Sequence, residues 1–251
     1  MVTRGMKGYF GAGGRLVALL AGIATSPIVA VAIFAVWMQD RRTPFYLPVR
    51  IGLGGRPFRL FKLRSMVINA DRTKVDTTID GDTRVTPVGN FIRRLKLDEL
   101  PQFWNVVLGT MALVGPRPNI SRETDLYTTE ELRILSVKPG ITDISSIVFS
   151  DLGTILTGAD DPNLAYNQLI RPWKSRLALF YIDHKSLALD WYIVAVTAIS
   201  IINHKLALNC VAELLRHYNA PESLVEIAMR SVPLVPSAPP GANDIVVDRN
   251  A

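Results

Sequence analysis

From Leu16 to Met38 the chain reads LVALLAGIATSPIVAVAIFAVWM, its longest stretch without a charge. About 20 apolar residues suffice to cross a bilayer as a helix, so this run predicts a membrane element over 16–38. A secretory leader has a shorter apolar region and a small-residue cleavage site. This run instead ends near Trp37 and meets Asp40, Arg41 and Arg42, so cleavage is not expected. In the middle, Pro27 lacks an amide donor, and the hydroxyls of Thr25 and Ser26 are suited to carbonyls freed by a kink. Basic residues stand on both sides: Arg4, Lys7 and Arg15 before, and Arg41, Arg42, Arg50, Arg56, Arg59, Lys62 and Arg64 after. Since basic flanks favour the cytoplasmic side, the pattern describes either a hairpin re-entering one leaflet, broken at Ser26-Pro27, or a kinked spanning helix.

Beyond Arg42 the periodicity changes. Short β-like runs such as Phe58 to Leu63, separated by Gly and Pro, predict a small hairpin. Asn69 to Thr86, with Asp71, Asp76, Asp80 and Asp82, has no period and reads as a mobile loop beside a site. Val88, Phe91, Ile92 and Leu95 recur at helical spacing opposite Arg93, Arg94 and Lys96, an amphipathic helix. Asp98 is placed to N-cap a second helix through LPQFWNVVLG, ended by Gly109. The GPRP turn holds Arg117 between Pro116 and Pro118, Arg122 to Leu135 reads as helix, and Lys138-Pro139-Gly140 as a turn. Trp191 to Ile202 is apolar but too short to span; it suits a helix lying at the membrane interface, or a core helix. The Pro-rich VPLVPSAPPGANDIVVDRNA is expected to be disordered.

Composition narrows the function classes. A hydrophobic fraction of 49% beside 20% charged residues fits one catalytic domain with a membrane element rather than an evenly mixed soluble chain. The net charge of +6 calls for an anionic partner: nucleic acid, acidic lipid or a phosphorylated substrate. Cys210 is the only cysteine, which excludes an intrachain disulfide or a thiolate zinc cluster, and His184, His204 and His217 are too scattered for a histidine metal centre. Juxtamembrane Arg41, Arg42 and Arg50 are expected to meet acidic lipid heads.

The candidate chemistry is compact. Asp98 and Glu99 are consecutive carboxylates that offer oxygen ligands to Mg²⁺ with one left as nucleophile, while Lys62, Arg64, Arg93, Arg94 and Arg117 are cations suited to clamping phosphates. Alone, each of these features has an ordinary explanation as a helix cap or a lipid contact.

Taken in order, the motifs resemble the monotopic phosphoglycosyl transferases, or bacterial sugar transferases. The resemblance runs through Thr25-Ser26-Pro27, Phe61 to Met66, Asp82-Thr83-Arg84, Ile92-Arg93-Arg94, Leu97 to Gln102 (LDELPQ), Asn105-Val106, Val114 to Pro118 (VGPRP) and Pro139 to Thr142, resuming at Ser186 and Asp190. It implies an α+β, mainly helical fold: a re-entrant helix-break-helix at Ser26-Pro27, a small catalytic domain with a short β-hairpin, and interfacial amphipathic helices on the cytoplasmic face of a bacterial inner membrane. It also implies a ping-pong reaction. Asp98 attacks the β-phosphate of a UDP-sugar and expels UMP, and polyprenyl phosphate takes the phosphosugar, as the first membrane step of surface polysaccharide or glycoconjugate assembly. Glu99 then helps hold Mg²⁺; Lys62, Arg64, Arg94 and Arg117 bind phosphate; Gln102, Pro116 and Pro118 support the site. The family's Gly-Asp-Met and Pro-Gly-Ile-Thr-Gly are here Gly109-Thr110-Met111 and Thr142-Asp143, and its Ala-Gln-Val is replaced by Ile144-Ser145-Ser146, changes expected to touch specificity before activity. The domains follow as a basic segment 1–15, membrane helix 16–38, catalytic domain 39–208, C-terminal helix 209–231 and tail 232–251. The competing class is a noncatalytic basic membrane anchor binding acidic lipid or nucleic acid. With no nucleic-acid motif and few aromatics among the cations, nucleic acid is not an expected partner.

Overall fold

The computed structural model describes residues 11–70 and 78–248. Arg4 and Lys7 of the basic segment, and Asp71 and Asp76 of the polar loop, lie outside the described residues.

The first element, α1 (Gly11–Asp40), is one helix of 30 residues, about 45 Å long at 1.5 Å per residue. It does not break at Ser26-Pro27. Proline removes the amide that would bond the carbonyl four residues back, at Ile23, and the Ser26 hydroxyl donates to that oxygen at 2.7 Å instead. Thr25 likewise donates to the carbonyl of Ala21 at 2.8 Å. The hydroxyls thus repair the ladder that the proline interrupts, and the helix continues. One face of α1 carries small residues, Gly14, Ala18 and Gly22, all buried. A Cβ on Gly22 would sit 3.6 Å from the Cβ of Phe103, so the backbone lies close on the body. Nearer its C-terminus Ala32 and Val36 pack with Leu63 and Ile92. Both halves of α1 therefore rest on the same body, while Leu16, Leu20, Ile23, Val31 and Phe34 point away and stay exposed.

A strand run follows: β1 (Phe45–Tyr46), β2 (Val49–Ile51), β3 (Pro57–Arg59) and β4 (Lys62–Leu63). β2 pairs with β3 and β1 with β4, both antiparallel, giving the expected hairpin in two nested pieces. Next come α2 (Pro87–Arg94), a 3-10 turn over Leu97–Glu99, α3 (Gln102–Val107), β5 (Ala112–Val114) and α4 (Ser121–Thr124). The expected helix over 122–135 is only this short turn of helix and a 3-10 segment, Glu131–Ser136. β6 (Gly140–Thr142) pairs parallel with β5. That pairing needs both glycines, because a Cβ on Gly140 would fall 2.1 Å from the Gly115 nitrogen, and one on Gly115 2.4 Å from the Lys138 carbonyl oxygen.

The remainder is helical: α5 (Ile144–Val148), α6 (Leu152–Ile155), α7 (Pro162–Ala165), a π-turn over Tyr166–Ile170, α8 (Arg171–His184), α9 (Leu187–Ile202), α10 (His204–His217) and α11 (Glu222–Met229). Helix makes up 57% of the described residues, with little sheet. The C-terminal helix expected over 209–231 is two helices, because Asn219 is left-handed (φ 54°) and Pro221 follows. The main core is built from these helices and β5, through Ile147, Leu177, Ile193, Val211, Leu215 and Val225. Ser186 caps α9 by accepting from the Leu189 amide at 3.2 Å. Leu189, Ile193 and Val196 bury one face of α9, and Leu187, Trp191, Ile201 and Ile202 leave the other exposed, so it is a core helix with an apolar outer side.

Residues 232–248 have no helix or strand, as their prolines dictate, but they are tied to the body. Gln168 gives its side-chain amide to the Val246 carbonyl at 2.7 Å and accepts from the Ser237 amide at 3.0 Å, and Arg176 donates to the Ala238 carbonyl at 2.9 Å.

Candidate active site

Asp98 and Glu99 lie in the 3-10 turn between α2 and α3. Thr86 starts α2 by accepting from the Gly89 amide at 2.9 Å, with Pro87 in the first turn. Lys96 then takes a left-handed conformation (φ 53°), which ends the helical register and turns the chain. Pro101 stands at the cap of α3 with no side-chain bond there. Asp98 is therefore not the N-cap expected of it. Proline cannot extend the helix backwards toward Asp98 with a normal amide ladder, so α3 begins only at Gln102.

Freed from capping, Asp98 is buried (5% exposed) and bonded to one cation, with Lys62 Nζ 3.0 Å from its Oδ2. The same ammonium is 3.5 Å from Glu99 Oε1, so Lys62 bridges the two carboxylates. Arg117 closes the far side, its guanidinium Nη2 pairing with Glu99 Oε1 and its Nη1 with Oε2 at 3.3 Å. Burial pushes the Glu99 carboxyl up, but the charges of Arg117 and Lys62 outweigh it and hold the group well below the usual carboxylate range. The Glu99 charge raises Arg117 above its ordinary value despite burial.

The scaffold explains why these four converge. Lys62 sits in β4, and Asn105 of α3 locks that strand by accepting from the Phe61 amide at 2.8 Å and donating to the Arg59 carbonyl at 2.8 Å. Thr110 donates to the Asn105 carbonyl at 3.1 Å and keeps this turn closed. Pro116 and Pro118 are buried on either side of Arg117, and the Pro116 carbonyl accepts from the Gly140 amide at 3.1 Å. Asp143 caps α5 through the Ser146 amide at 2.7 Å, which sets Ser145 and Ser146 in the cavity wall.

The carboxylates open into a cavity of about 950 Å³. Arg94 lines it from α2, as does Arg93, and Gln102 lies on its wall, 1% exposed with Nε2 unpartnered. Arg64 does not line it. β4 ends at Leu63, and the Arg64 amide bonds to the Pro44 carbonyl at 2.7 Å, so the side chain leaves the face that carries Lys62. Its guanidinium instead grips Asp40 at 2.6 and 2.7 Å and the Thr43 carbonyl at 2.8 Å, a latch at the end of α1. Arg50, expected at lipid heads, points into the cavity from β2, joined by Tyr166 and Lys174 from the helical half. The last two carried no local signal, since nothing near them in the chain relates them to the DELPQ or GPRP motifs. The polar loop contributes Asp80 and Asp82; Asp80 accepts from the Thr154 hydroxyl at 2.5 Å.

Among the described residues no group of three or more His, Cys, Asp or Glu side chains converges. A cage made wholly of protein ligands is thus absent there. Two carboxylates facing a cationic cavity fit Mg²⁺, which is commonly held by one or two carboxylates plus substrate phosphates and water.

Residues 12–204 match the family described as bacterial sugar transferase. The chain belongs to the bacterial sugar transferase family. It is 34% identical over 201 residues to the UDP-glucose:undecaprenyl-phosphate glucose-1-phosphate transferase of Xanthomonas campestris pv. campestris, covering 77% of this chain and 38% of that one. Against the UDP-N-acetylgalactosamine-undecaprenyl-phosphate N-acetylgalactosaminephosphotransferase of Aeromonas hydrophila it is 34% identical over 194 residues, covering 74% and 42%. The uncharacterized sugar transferase EpsL of Bacillus subtilis (strain 168) is 34% identical over 187 residues, covering 73% and 84%. The chain spans about two fifths of the first two relatives and most of the third. As a bacterial sugar transferase it carries α10, α11 and the tail largely beyond the matched residues.

Proposed function

We propose that this chain transfers a sugar-1-phosphate from a UDP-sugar to polyprenyl (undecaprenyl) phosphate, releasing UMP, through a phosphosugar ester on Asp98. The observation that carries the reading is the shared cation: Lys62 spans Asp98 and Glu99 at the floor of a basic cavity, and Arg117 engages Glu99 alone. Such an arrangement divides the labour between two carboxylates. Glu99, charge-compensated twice, is the electrostatic partner, and Asp98, with a single partner, keeps an oxygen for attack. In the first half-reaction an Asp98 oxygen bonds the β-phosphorus and the bond to the bridging oxygen breaks, so UMP leaves with that oxygen. In the second, an oxygen of polyprenyl phosphate bonds the same phosphorus and the Asp98–phosphorus bond breaks, restoring the carboxylate and giving a diphosphate-linked sugar. Asp98 and Glu99 would hold Mg²⁺, which when bound would supply charge neutralisation at the phosphate oxygens. Lys62 orients Asp98, and Arg117, fixed between Pro116 and Pro118, keeps Glu99 ionised while offering its outer guanidinium face to phosphate.

For the membrane we propose a monotopic arrangement on the cytoplasmic face of the bacterial inner membrane, with α1 seated along one leaflet rather than crossing to the other side. A helix crossing a bilayer upright carries one end some 30 Å away from a domain at the other. Here both the Gly14–Gly22 half and the Ala32–Val36 half touch the body, which supports the one-sided reading. The membrane lipid then meets Leu16, Leu20, Val31 and Phe34 of α1 and the outer side of α9.

The test is a panel of UDP-sugars with polyprenyl phosphate and Mg²⁺, read by UMP release, with intact-protein mass spectra taken before the acceptor is added. A phosphosugar adduct that disappears in Asp98→Asn is expected. Turnover without any adduct would exclude the covalent route.

A further inference from the structure

At the reacting end of the cavity the charges cancel: Lys62 and Arg117 are engaged by Asp98 and Glu99. Those two cations therefore supply only part of the positive charge that a diphosphate substrate calls for. Among the described residues two further cations of the wall, besides Arg93, Arg94 and Lys96 at and after α2, enter no ion pair. The Arg50 guanidinium makes no side-chain hydrogen bond among the described residues, and its Nε is buried without a partner there. Lys174 makes one hydrogen bond, to the hydroxyl of Tyr166 at 3.1 Å, with its ammonium 5.2 Å from that ring. Both line the same cavity as Arg117, and neither forms an ion pair with Glu123, the carboxylate whose charge acts on them most. Burial lowers the pKa of both below their ordinary values, the signature of desolvated charge that a bound anion would relieve.

Backbone geometry puts the pair together. Tyr166 and Lys174 are eight apart, a spacing that on a regular α-helix leaves the two side chains offset by about 80°. The π-turn at Tyr166–Ile170 takes up one extra residue, so the spacing acts as seven, close to two full turns, and both side chains share one face. Such π-turns are found disproportionately at functional sites.

We propose that Arg50 and Lys174, with the Tyr166 hydroxyl, form a second phosphate subsite that serves both half-reactions. The inference rests on the reading given under the proposed function. In an in-line displacement the leaving group departs opposite the nucleophile, so the UMP phosphate leaves on the side away from Asp98. When Asp98 becomes the leaving group, the acceptor phosphate must enter from that vacated side. One subsite meets both needs, first for the nucleotide phosphate and then for the lipid phosphate.

The experiment measures binding of UMP and of uridine, and the concentration of a short-chain polyprenyl phosphate giving half-maximal rate. The full chain in detergent micelles is compared with Lys174→Met, Lys174→Arg, Arg50→Gln and Tyr166→Phe. Loss of a charged hydrogen-bond donor predicts a UMP dissociation constant raised roughly 10- to 100-fold in Lys174→Met. Lys174→Arg restores most of it, Tyr166→Phe gives a rise of a few-fold, and uridine changes less than about 2-fold because it has no phosphate. The half-saturating polyprenyl phosphate rises in parallel. Folding is checked by the melting temperature, and Tyr166→Phe, which removes one oxygen, keeps the test open if Lys174→Met does not fold. Unchanged UMP affinity in the folded variants overturns the subsite, and weakening of only one of the two phosphates overturns its shared use. Wild-type protein that binds no UMP and releases none from any UDP-sugar overturns the parent reading as well. Normal wild-type turnover with unaffected variants overturns the subsite alone.

Discussion

Replacing Arg64 separates a latch from a binding residue. Its side chain is 7% exposed and gives two hydrogen bonds to Asp40, at 2.6 and 2.7 Å, plus one to the Thr43 carbonyl. Hydrogen bonds to charged groups contribute about 1.5–3 kcal/mol each, and removing one partner of a buried pair costs about 3–5 kcal/mol. Asp40 is 36% exposed at its side chain, so water takes up part of that loss. We therefore expect Arg64→Ala to cost about 3 kcal/mol, Asp40→Ala clearly less, and the double variant little more than Arg64→Ala alone, so that the two effects are coupled rather than additive. For a domain this size 1 kcal/mol corresponds to about 2–4 °C, so Arg64→Ala melts roughly 6–12 °C lower. The assay is thermal unfolding of the four-member cycle in one detergent, alongside UMP affinity of each folded variant at 20 °C. The latch predicts coupled melting temperatures and UMP affinities within about 2-fold of wild type. An Arg64→Ala variant that melts normally but loses UMP tenfold, with Asp40→Ala silent, would falsify it and return Arg64 to the phosphate site.

Three further outcomes follow from the same geometry. Chelation of divalent cations is expected to abolish UMP release while moving the melting temperature by less than about 2 °C, because the described residues contain no multi-acid cage through which a metal would hold the fold. Asp143→Ala removes the cap of α5 and should cost about 1 kcal/mol, seen as a melting point lower by about 2–4 °C, with altered preference among UDP-sugars because Ser145 and Ser146 shift. Glu99 has a folded pKa below its ordinary value of 4.5, so its stabilising contribution is complete above that value and lost only as pH falls through the depressed one. The melting-temperature gap between wild type and Glu99→Gln should hold steady from pH 7 to about 5 and narrow below it; narrowing already between pH 7 and 6 would contradict the pairing with Arg117 and Lys62.

How far the site could be read from sequence depends on how locally each part is determined. Asp98, Glu99 and Arg117 stood out because short rigid motifs carry them, and the fold brings Asp98 and Glu99 to Lys62 and Arg117 to Glu99. Arg64 misled because strand alternation places it beside Lys62 only while the strand lasts, and β4 stops one residue short. The cap assigned to Asp98 failed for a related reason: Lys96 turns left-handed and Pro101 delays α3, and neither event leaves a periodic trace. The proline in α1 was legible, but its consequence was not. A kink signal is the same whether the freed carbonyl stays open or a serine fills it. Lys174 and Tyr166 reach the cavity through tertiary packing and one π-turn, which no hydrophobic pattern announces.

The small face of α1 also sets a problem of timing. Gly22 lies against Phe103, about 80 residues later in the chain, which at roughly 5–20 residues per second is about 4–16 s of synthesis. Throughout that interval the Gly14–Gly22 side has no body to lean on, and only lipid or a chaperone can cover it. The Ser26 hydroxyl matters most then, since it alone meets the Ile23 carbonyl that Pro27 leaves bare, without waiting for any later part of the chain. The nascent helix is thus self-sufficient in hydrogen bonds before it is packed, and the catalytic body assembles against an anchor already in place.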